Sequence, residues 1–323
     1  MFQKQKVMRR VLYSLIPVYL FSIYLYGWRV LALSAVVFFC GILAEYIMTK
    51  RRNKKVSEAV LVTCALFVLS LPPTAPLWIA AVGIVFGVVL IKEAYGGFGR
   101  NIFNPAIGGR LFIYLTFPSI LAISWMVPGV FGQSGIVGVD ALTAATPLQQ
   151  FRQGAIPELS QLLLGLRAGS IGESSIILLL GAAIYMIVTK TANWRLISST
   201  LFSGYVFAFL FITTGLLPGI DPDQYTLGQE LYIALLFVFS GSIFYCAVYM
   251  CTDPISAPNK PQSQFVYGAI IGLVTMLIRT FSLFPEGTSF AIIIGNTFAS
   301  FLDEIFQKKK ASKTKKSVAK EVA

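Results

Sequence analysis

The chain alternates between long apolar runs and short polar breaks. Ten runs can be marked, at roughly 11–27, 30–49, 58–71, 75–92, 105–127, 174–190, 196–217, 229–250, 264–283 and 288–305. Each approaches the ~20 apolar residues that cross a bilayer as a helix, with 58–71 the short one. Hydrocarbon offers backbone groups no partner, so a helix, which satisfies its own, is the expected element. The pattern predicts an all-α integral membrane protein of about ten transmembrane helices.

The runs divide into two sets of five, 1–127 and 174–306. An outer loop at 128–173 separates them, and a basic tail at 307–323 follows. An odd number of spans per set makes the two halves inverted relative to each other. Similar breaks fall at corresponding places. SLPPTAP (70–76) follows the third run and TDPISAP (252–258) the eighth, while GGFGRNIFNPA (96–106) precedes the fifth and FPEGTSFAIIIGN (284–296) the tenth. Gly and Pro at matching positions of inverted halves predict discontinuous helices that meet near the midplane.

Charge orients this frame. Of the 26 Lys and Arg, all but Arg29, Arg152, Arg167 and Arg279 fall on the side shared by the N-terminus, the even-numbered turns and the tail. A basic excess of that kind marks the cytoplasmic side. Both termini are therefore expected in the cytoplasm, and the 128–173 loop on the outer face. The net charge of +12 reports topology and needs no nucleic-acid partner. The tail KKKASKTKKSVAKEVA suits a disordered segment beside anionic lipid. The first run follows Lys4, Lys6, Arg9 and Arg10 without a small-residue cleavage site, so no cleavable signal is expected.

Composition narrows the chemistry. With 56% hydrophobic and 12% charged residues, the chain carries more apolar surface than a soluble domain can bury. Cys40, Cys64, Cys246 and Cys251 all sit inside apolar runs, at spacings that fit neither a disulfide framework nor a zinc or iron–sulfur set. Histidine is absent, which removes the usual haem and zinc ligands. Any redox work would need an organic cofactor.

Ionisable groups near membrane depth are functional suspects. Glu58 opens the third run, Asp253 lies in the eighth-to-ninth turn, and Asp303 is near the end of the tenth. On the cytoplasmic side these three could gather a hard cation; alternatively, each serves ordinary helix-end or turn electrostatics. Arg100, Asn101, Asn104, Pro105 and Arg110 surround FNPA, where Gly-rich backbone could offer donors to an anion or a ring carbonyl, or simply start a helix. GGFG is no dinucleotide fingerprint, since it lacks the third glycine and a preceding strand. The segment 158–168, ELSQLLLGLRA, reads as a short interfacial helix, and GSIGES (169–174) as a polar cap to the sixth run.

The segment DALTAATPLQQ (140–150) interrupts the grease with small residues and hydroxyls. Locally it predicts a helix start, with Thr146 as N-cap, Pro147 first in the helix and Gln149 closing a capping box.

Taken with VSEAVLVT (56–63), LPPTAPLW (71–78), KEAYGGFGRNIFNPAIGGR (92–110), GSIGE (169–173), TDPISAP (252–258) and PEGTSFAIIIGN (285–296), that segment resembles a known family. This is the RnfD/NqrB family, the covalent-flavin membrane component shared by the Rnf ferredoxin–NAD complex and the sodium-translocating NADH–quinone reductase. The resemblance implies FMN esterified through its phosphate to the Thr146 hydroxyl by a flavin transferase. That enzyme reads an Asp-x-x-Ser/Thr-x-Ala-Thr/Ser pattern, filled here by Asp140, Thr143, Ala145 and Thr146. The family often has Gly at the place of Ala144 and Ser at the place of Thr143, and both changes keep the segment slim. Gly169 and Glu173 would flank the FMN.

The resemblance also implies a second, non-covalent flavin, riboflavin, for which Asn101, Asn104 and Pro105 are the candidate neighbourhood. Acids matching Glu58, Asp253 and Asp303 are associated with cation uptake. The implied role is electron transfer coupled to Na⁺ or H⁺ transport in a bacterial inner membrane, as one part of a larger complex and not catalytic alone. The early first span favours the Rnf type, whereas GRNIFNPA and GSIGE look closer to the quinone-reductase version. The rival reading is an inverted-repeat permease without a redox cofactor, and a structural membrane scaffold is a third.

Overall fold

The computed structural model describes residues 2–122, 124–126, 128–129, 145–173, 175–282, 284 and 287–321. Helices dominate it. In the first half, α1 (Lys6–Tyr26) and α2 (Trp28–Arg51) are joined at Gly27, whose φ of 65° permits the reversal. The helix α3 (Ala59–Ser70) is shorter, at about 18 Å, and stops where Pro72 and Pro73 exclude further helix. α4 (Leu77–Phe86) continues as a π-helix over Gly87–Glu93, and α5 (Pro105–Thr116) is followed by α6 (Pro118–Ala122). The segment between the two sets of runs holds α7 (Pro147–Arg152) and α8 (Leu159–Leu164), the latter within the stretch read as a short surface helix.

The second half comprises α9 (Ile176–Val188), α10 (Trp194–Thr213), α11 (Leu227–Phe239), α12 (Ile243–Tyr249), α13 (Pro261–Phe281) and α14 (Thr288–Glu321). α14 runs on through the basic tail, where disorder was expected, because Lys and Ala favour helix. A single two-residue parallel pairing, Phe2–Gln3 with Val56–Ser57, ties the N-terminus to the turn before α3.

Helical segments occupy all ten predicted runs, but their lengths differ from a uniform set of spans. Among the described residues, five helices are long and apolar enough to cross a membrane, namely α1, α2, α10, α13 and Thr288–Lys308 of α14. The pair α11–α12 makes a sixth if its 58° bend is taken as one broken span. Helices α3 and α9 are apolar but short. The physical reason lies at the breaks: Leu71–Ala75, Ser170–Glu173 and Ser240–Ser242 interrupt the helices. Two of these breaks meet directly, where Ile171 N donates to Leu71 O at 3.0 Å.

Packing repeats between the halves. α2 packs on α3 and α4, and α4 on α5; in the second half α10 packs on α11 and α13, and α13 on α14. The contact of α1 with α3 is likewise matched by that of α9 with α12, while α1–α9 and α5–α14 join the halves. Backbones approach closely at small residues. A Cβ on Gly272 of α13 would lie 2.6 Å from Gly204 N of α10, and one on Gly87 would lie 2.4 Å from Pro105 O.

Some turns assigned by charge to the same side are in contact. Gly129 N donates to Leu25 O and Thr74 Oγ1 to Ser124 O. Arg10 reaches Thr189 O, and Asn259 N donates to Asp303. One basic residue departs from this sorting. Arg110, counted with the N-terminal side, lies inside α5 at 1% exposure, with Nη2 3.2 Å from Ser170 Oγ and 3.8 Å from Glu173 Oε1.

Candidate functional site

The first candidate is built on α7. Thr146 adopts the extended backbone of an N-cap, and its hydroxyl accepts from Gln149 N at 3.4 Å while Gln149 Oε1 accepts from Thr146 N at 3.0 Å. Pro147 is the first helical residue, so the capping box read from the sequence is present. Ala145 is exposed and Thr146 is 9% exposed. Asp140 and Thr143 lie outside the described residues.

Three groups anchor α7. Phe151 is buried and meets the Phe237 ring edge-on at 5.2 Å. Arg152 Nη2 donates to Arg279 O at 3.0 Å and to Ser282 O at 2.6 Å. Leu148 packs against Gly241 at the α11–α12 break, where a Cβ would come within 2.6 Å of Leu148 Cδ1. Gly219 completes the socket, because a Cβ there would fall 2.2 Å from Phe151 O. Leu148, Phe151, Arg152, Leu217, Phe237 and Arg279 line a small cavity of about 220 Å³ beneath the helix. Burial lowers the Arg152 pKa from its ordinary value.

The exceptional arginines of this face share one task. Arg29 Nη2 donates to Ala75 O, Arg167 to Phe239 O and Glu173 O, and Arg279 to Phe237 O and Ser240 O. Every acceptor is a carbonyl at a helix end or break. Sequence reading sees these residues only as exceptions to a charge rule. Glu173 has as partners Arg110 and Arg167, and a Cβ on Gly169 would stand 3.3 Å from Glu173 Oε2. Glu173 is thus tied to α5 through Arg110 and to the α11 terminus through Arg167, with Gly169 lying against its side chain.

The second candidate is a cleft that brings together Asn101, Asn104, Pro105, Lys92, Thr63 and Asp253, with apolar walls from Met8, Val11, Leu66 and Tyr249. Asn104 is the N-cap of α5, its Oδ1 accepting from Ala106 N and Ile107 N, so FNPA is a helix start and a cavity wall at once. A neighbouring cavity of about 550 Å³ is lined by Arg100, Asn101, Asn296 and Asp303.

The three acids share a face but do not gather. Glu58 is bound by Arg9 at 2.5 Å and by Gln5 N at 2.6 Å. The Arg9 guanidinium holds the Glu58 carboxyl below its ordinary pKa, with help from the Gln5 amide. Asp253 accepts from Ser256 Oγ and Ile255 N within its own turn; burial pushes its pKa up, against those two bonds and the nearby Lys92 charge. Asp303 accepts from Asn259 N and Lys260 N. Among the described residues, no three Cys, Asp or Glu side chains form a metal-holding group. Each of the three carboxylates has its own donors.

Sequence reading passed over a buried ion pair. Glu45 of α2 and Lys92 of the π-helix are each 1% exposed and meet at 2.6 Å. Ser57 N completes the Glu45 carboxylate at 2.9 Å. Beside it Arg52 pairs with buried Glu93, at the edge of a polar cavity of about 980 Å³ that Glu45 also lines. An acid inside an apolar run was the available signal.

Known proteins resemble this chain over most of its length. Residues 2–312 match the NQR2, RnfD, RnfE family. The D component of the ion-translocating oxidoreductase complex of Shewanella amazonensis is 29% identical, over 93% of this chain and 92% of its own length. The B component of the Na(+)-translocating NADH-quinone reductase of Chromohalobacter salexigens is 34% identical, over 85% of this chain and 65% of its own length. That of Pseudoalteromonas atlantica is 33% identical, over 87% and 68%.

Proposed function

The chain belongs to the NQR2, RnfD, RnfE family, and from that premise we propose that it is the membrane subunit of an ion-translocating electron-transport complex, carrying FMN on Thr146. The observation that carries this reading is the placement of Thr146. It caps a short outer helix, between exposed Ala145 and Pro147, in the segment that resembles the flavin attachment pattern. The fit is good chemically: the neighbours are slim, and the bond from Gln149 N to Thr146 Oγ is long, so esterification forfeits little. When bound, the flavin supplies one- and two-electron transfer, and the protein contributes orientation and electrostatics.

In this reading both termini are cytoplasmic and α7 faces outward, as the basic excess on the opposite face supports. The inner cleft is the proposed place of a non-covalent riboflavin. The amides of Asn101 and Asn104 and the Lys92 ammonium would meet ring carbonyls there, with Leu66 and Tyr249 as apolar walls. Asp253 lines the same cleft, which puts a carboxylate of a proposed Na⁺ or H⁺ route beside the second flavin. Coupling requires ion affinity to differ between redox states. The near-complete mutual coverage with the Shewanella relative supports an Rnf-type complex. Partners would be the other subunits, anionic lipid at the basic tail and, during maturation, a flavin transferase.

In-gel flavin fluorescence after denaturation tests the reading. Wild-type chain co-expressed with a flavin transferase should give a fluorescent band, and Thr146→Ala a dark one. A dark wild-type band would leave the permease reading.

A further inference from the structure

The docked outer helix poses a problem of access. Thr146 is 9% exposed, and its hydroxyl is turned into the capping box toward Gln149 N. The helix behind it is fixed by Phe151 on Phe237, by Arg152 on two carbonyls, by Leu148 on the α11–α12 break and by Gly219 under the Phe151 carbonyl. A phosphoryl-transferring enzyme must bring its bound donor in line with the Thr146 oxygen and place a base beside the hydroxyl proton. A nearly covered cap residue on a helix pinned at four points does not present its oxygen in that way.

We propose that the flavin transferase acts on this chain while α7 is undocked, and that docking afterwards seals the ester into the outer face. The proposal rests on Thr146 being the flavin attachment residue. The step itself is a phosphoryl transfer with no redox change. Thr146 Oγ forms a bond to the flavin-side phosphorus of an anhydride-linked flavin dinucleotide. The anhydride P–O bond breaks, its electron pair leaves with the nucleoside monophosphate, and the hydroxyl proton passes to a base on the transferase. Labelling should then run at the rate of chemistry multiplied by the fraction of molecules with α7 open.

The test uses full-length chain purified in detergent from cells lacking the transferase, then mixed with transferase and flavin adenine dinucleotide. Initial rates of in-gel fluorescence are compared for wild type, Arg152→Gln, Phe151→Ala and Gly219→Ala. Each variant removes a different anchor, and each should label at least about tenfold faster than wild type. The final stoichiometry should be equal. Monodisperse elution identifies variants that have folded, and Arg152→Gln, the mildest, carries the test if the others have not. Equal initial rates in wild type and folded variants would overturn the proposal. Absence of label even in wild type co-expressed with transferase would instead remove the attachment reading on which it rests.

Discussion

Replacing Lys92 by Met should be among the most damaging single changes in this protein, and the reason can be worked from the pair it makes with Glu45. At 2.6 Å, two unit charges attract by about 6 kcal/mol at an effective dielectric of ~20. Desolvating each ion costs several kcal/mol, so the pair roughly breaks even against an apolar replacement. Deleting one partner is different. It leaves the Glu45 carboxylate 1% exposed with only Ser57 to answer it, at a cost of about 3–5 kcal/mol. The double variant Glu45→Gln/Lys92→Met should recover most of that loss, because an amide oxygen can still accept from Ser57 N. Thermal unfolding in detergent, followed with a thiol-reactive dye, suits this chain because Cys64, Cys246 and Cys251 are buried thiols outside any disulfide. Lys92→Met should melt about 10 °C below wild type, with the double variant close to wild type. Equal melting of Lys92→Met and wild type would refute the reasoning. It would mean that Glu45 draws water or a proton from the adjoining polar cavity.

Two further outcomes follow from local geometry. Gly272→Ala places a Cβ 2.6 Å from Gly204 N and 2.7 Å from Thr200 O, so α10 and α13 must separate; the same dye assay should show a loss of about 1–3 kcal/mol. Glu58 has a folded-state pKa held below its ordinary value, first by the hydrogen bond from Arg9. Its contribution is therefore complete above the ordinary carboxylate pKa and drains away as pH falls through the lowered one. The melting difference between wild type and Glu58→Gln should shrink on acidification, and a difference that stays constant would show that the carboxylate charge does not matter.

What the sequence made legible was local. Thr146, Pro147 and Gln149 announce a capping box within four residues, and Asn104–Pro105 a helix start, because the groups that bond are adjacent in the chain. Apolar runs locate every long helix for a similar reason. Glu45 was marked by its place inside an apolar run, but its pairing with Lys92 could not be read, since the two are 47 residues apart. Arg110 was sorted by its nearest turn, whereas its partners Ser170 and Glu173 arrive from the other end of the outer segment. The donors of Glu58, Asp253 and Asp303 were only partly legible: Ser256 lies within the Asp253 turn, whereas Gln5 and Lys260 reach Glu58 and Asp303 from distant parts of the chain.

Arg167 and Arg279 show how the broken helices and the Thr146 site depend on each other. A helix that stops inside a membrane strands carbonyls, and each unsatisfied group there costs several kcal/mol. The guanidinium carries five donors in a rigid fork, enough to serve two carbonyls from one side chain. Arg167 does this for Phe239 and Glu173, and Arg279 for Phe237 and Ser240, so the interruptions in α11–α12 and before α9 persist because arginine answers them. These side chains sit on the face with little other basic charge because backbone repair, and not topology, holds them there. Arg152 extends the same device to α7 by reaching Arg279 O and Ser282 O. The helix that bears Thr146 is thereby fastened to the break in α11–α12. Loosening that fastening should change what happens at Thr146 without altering any residue of its attachment pattern.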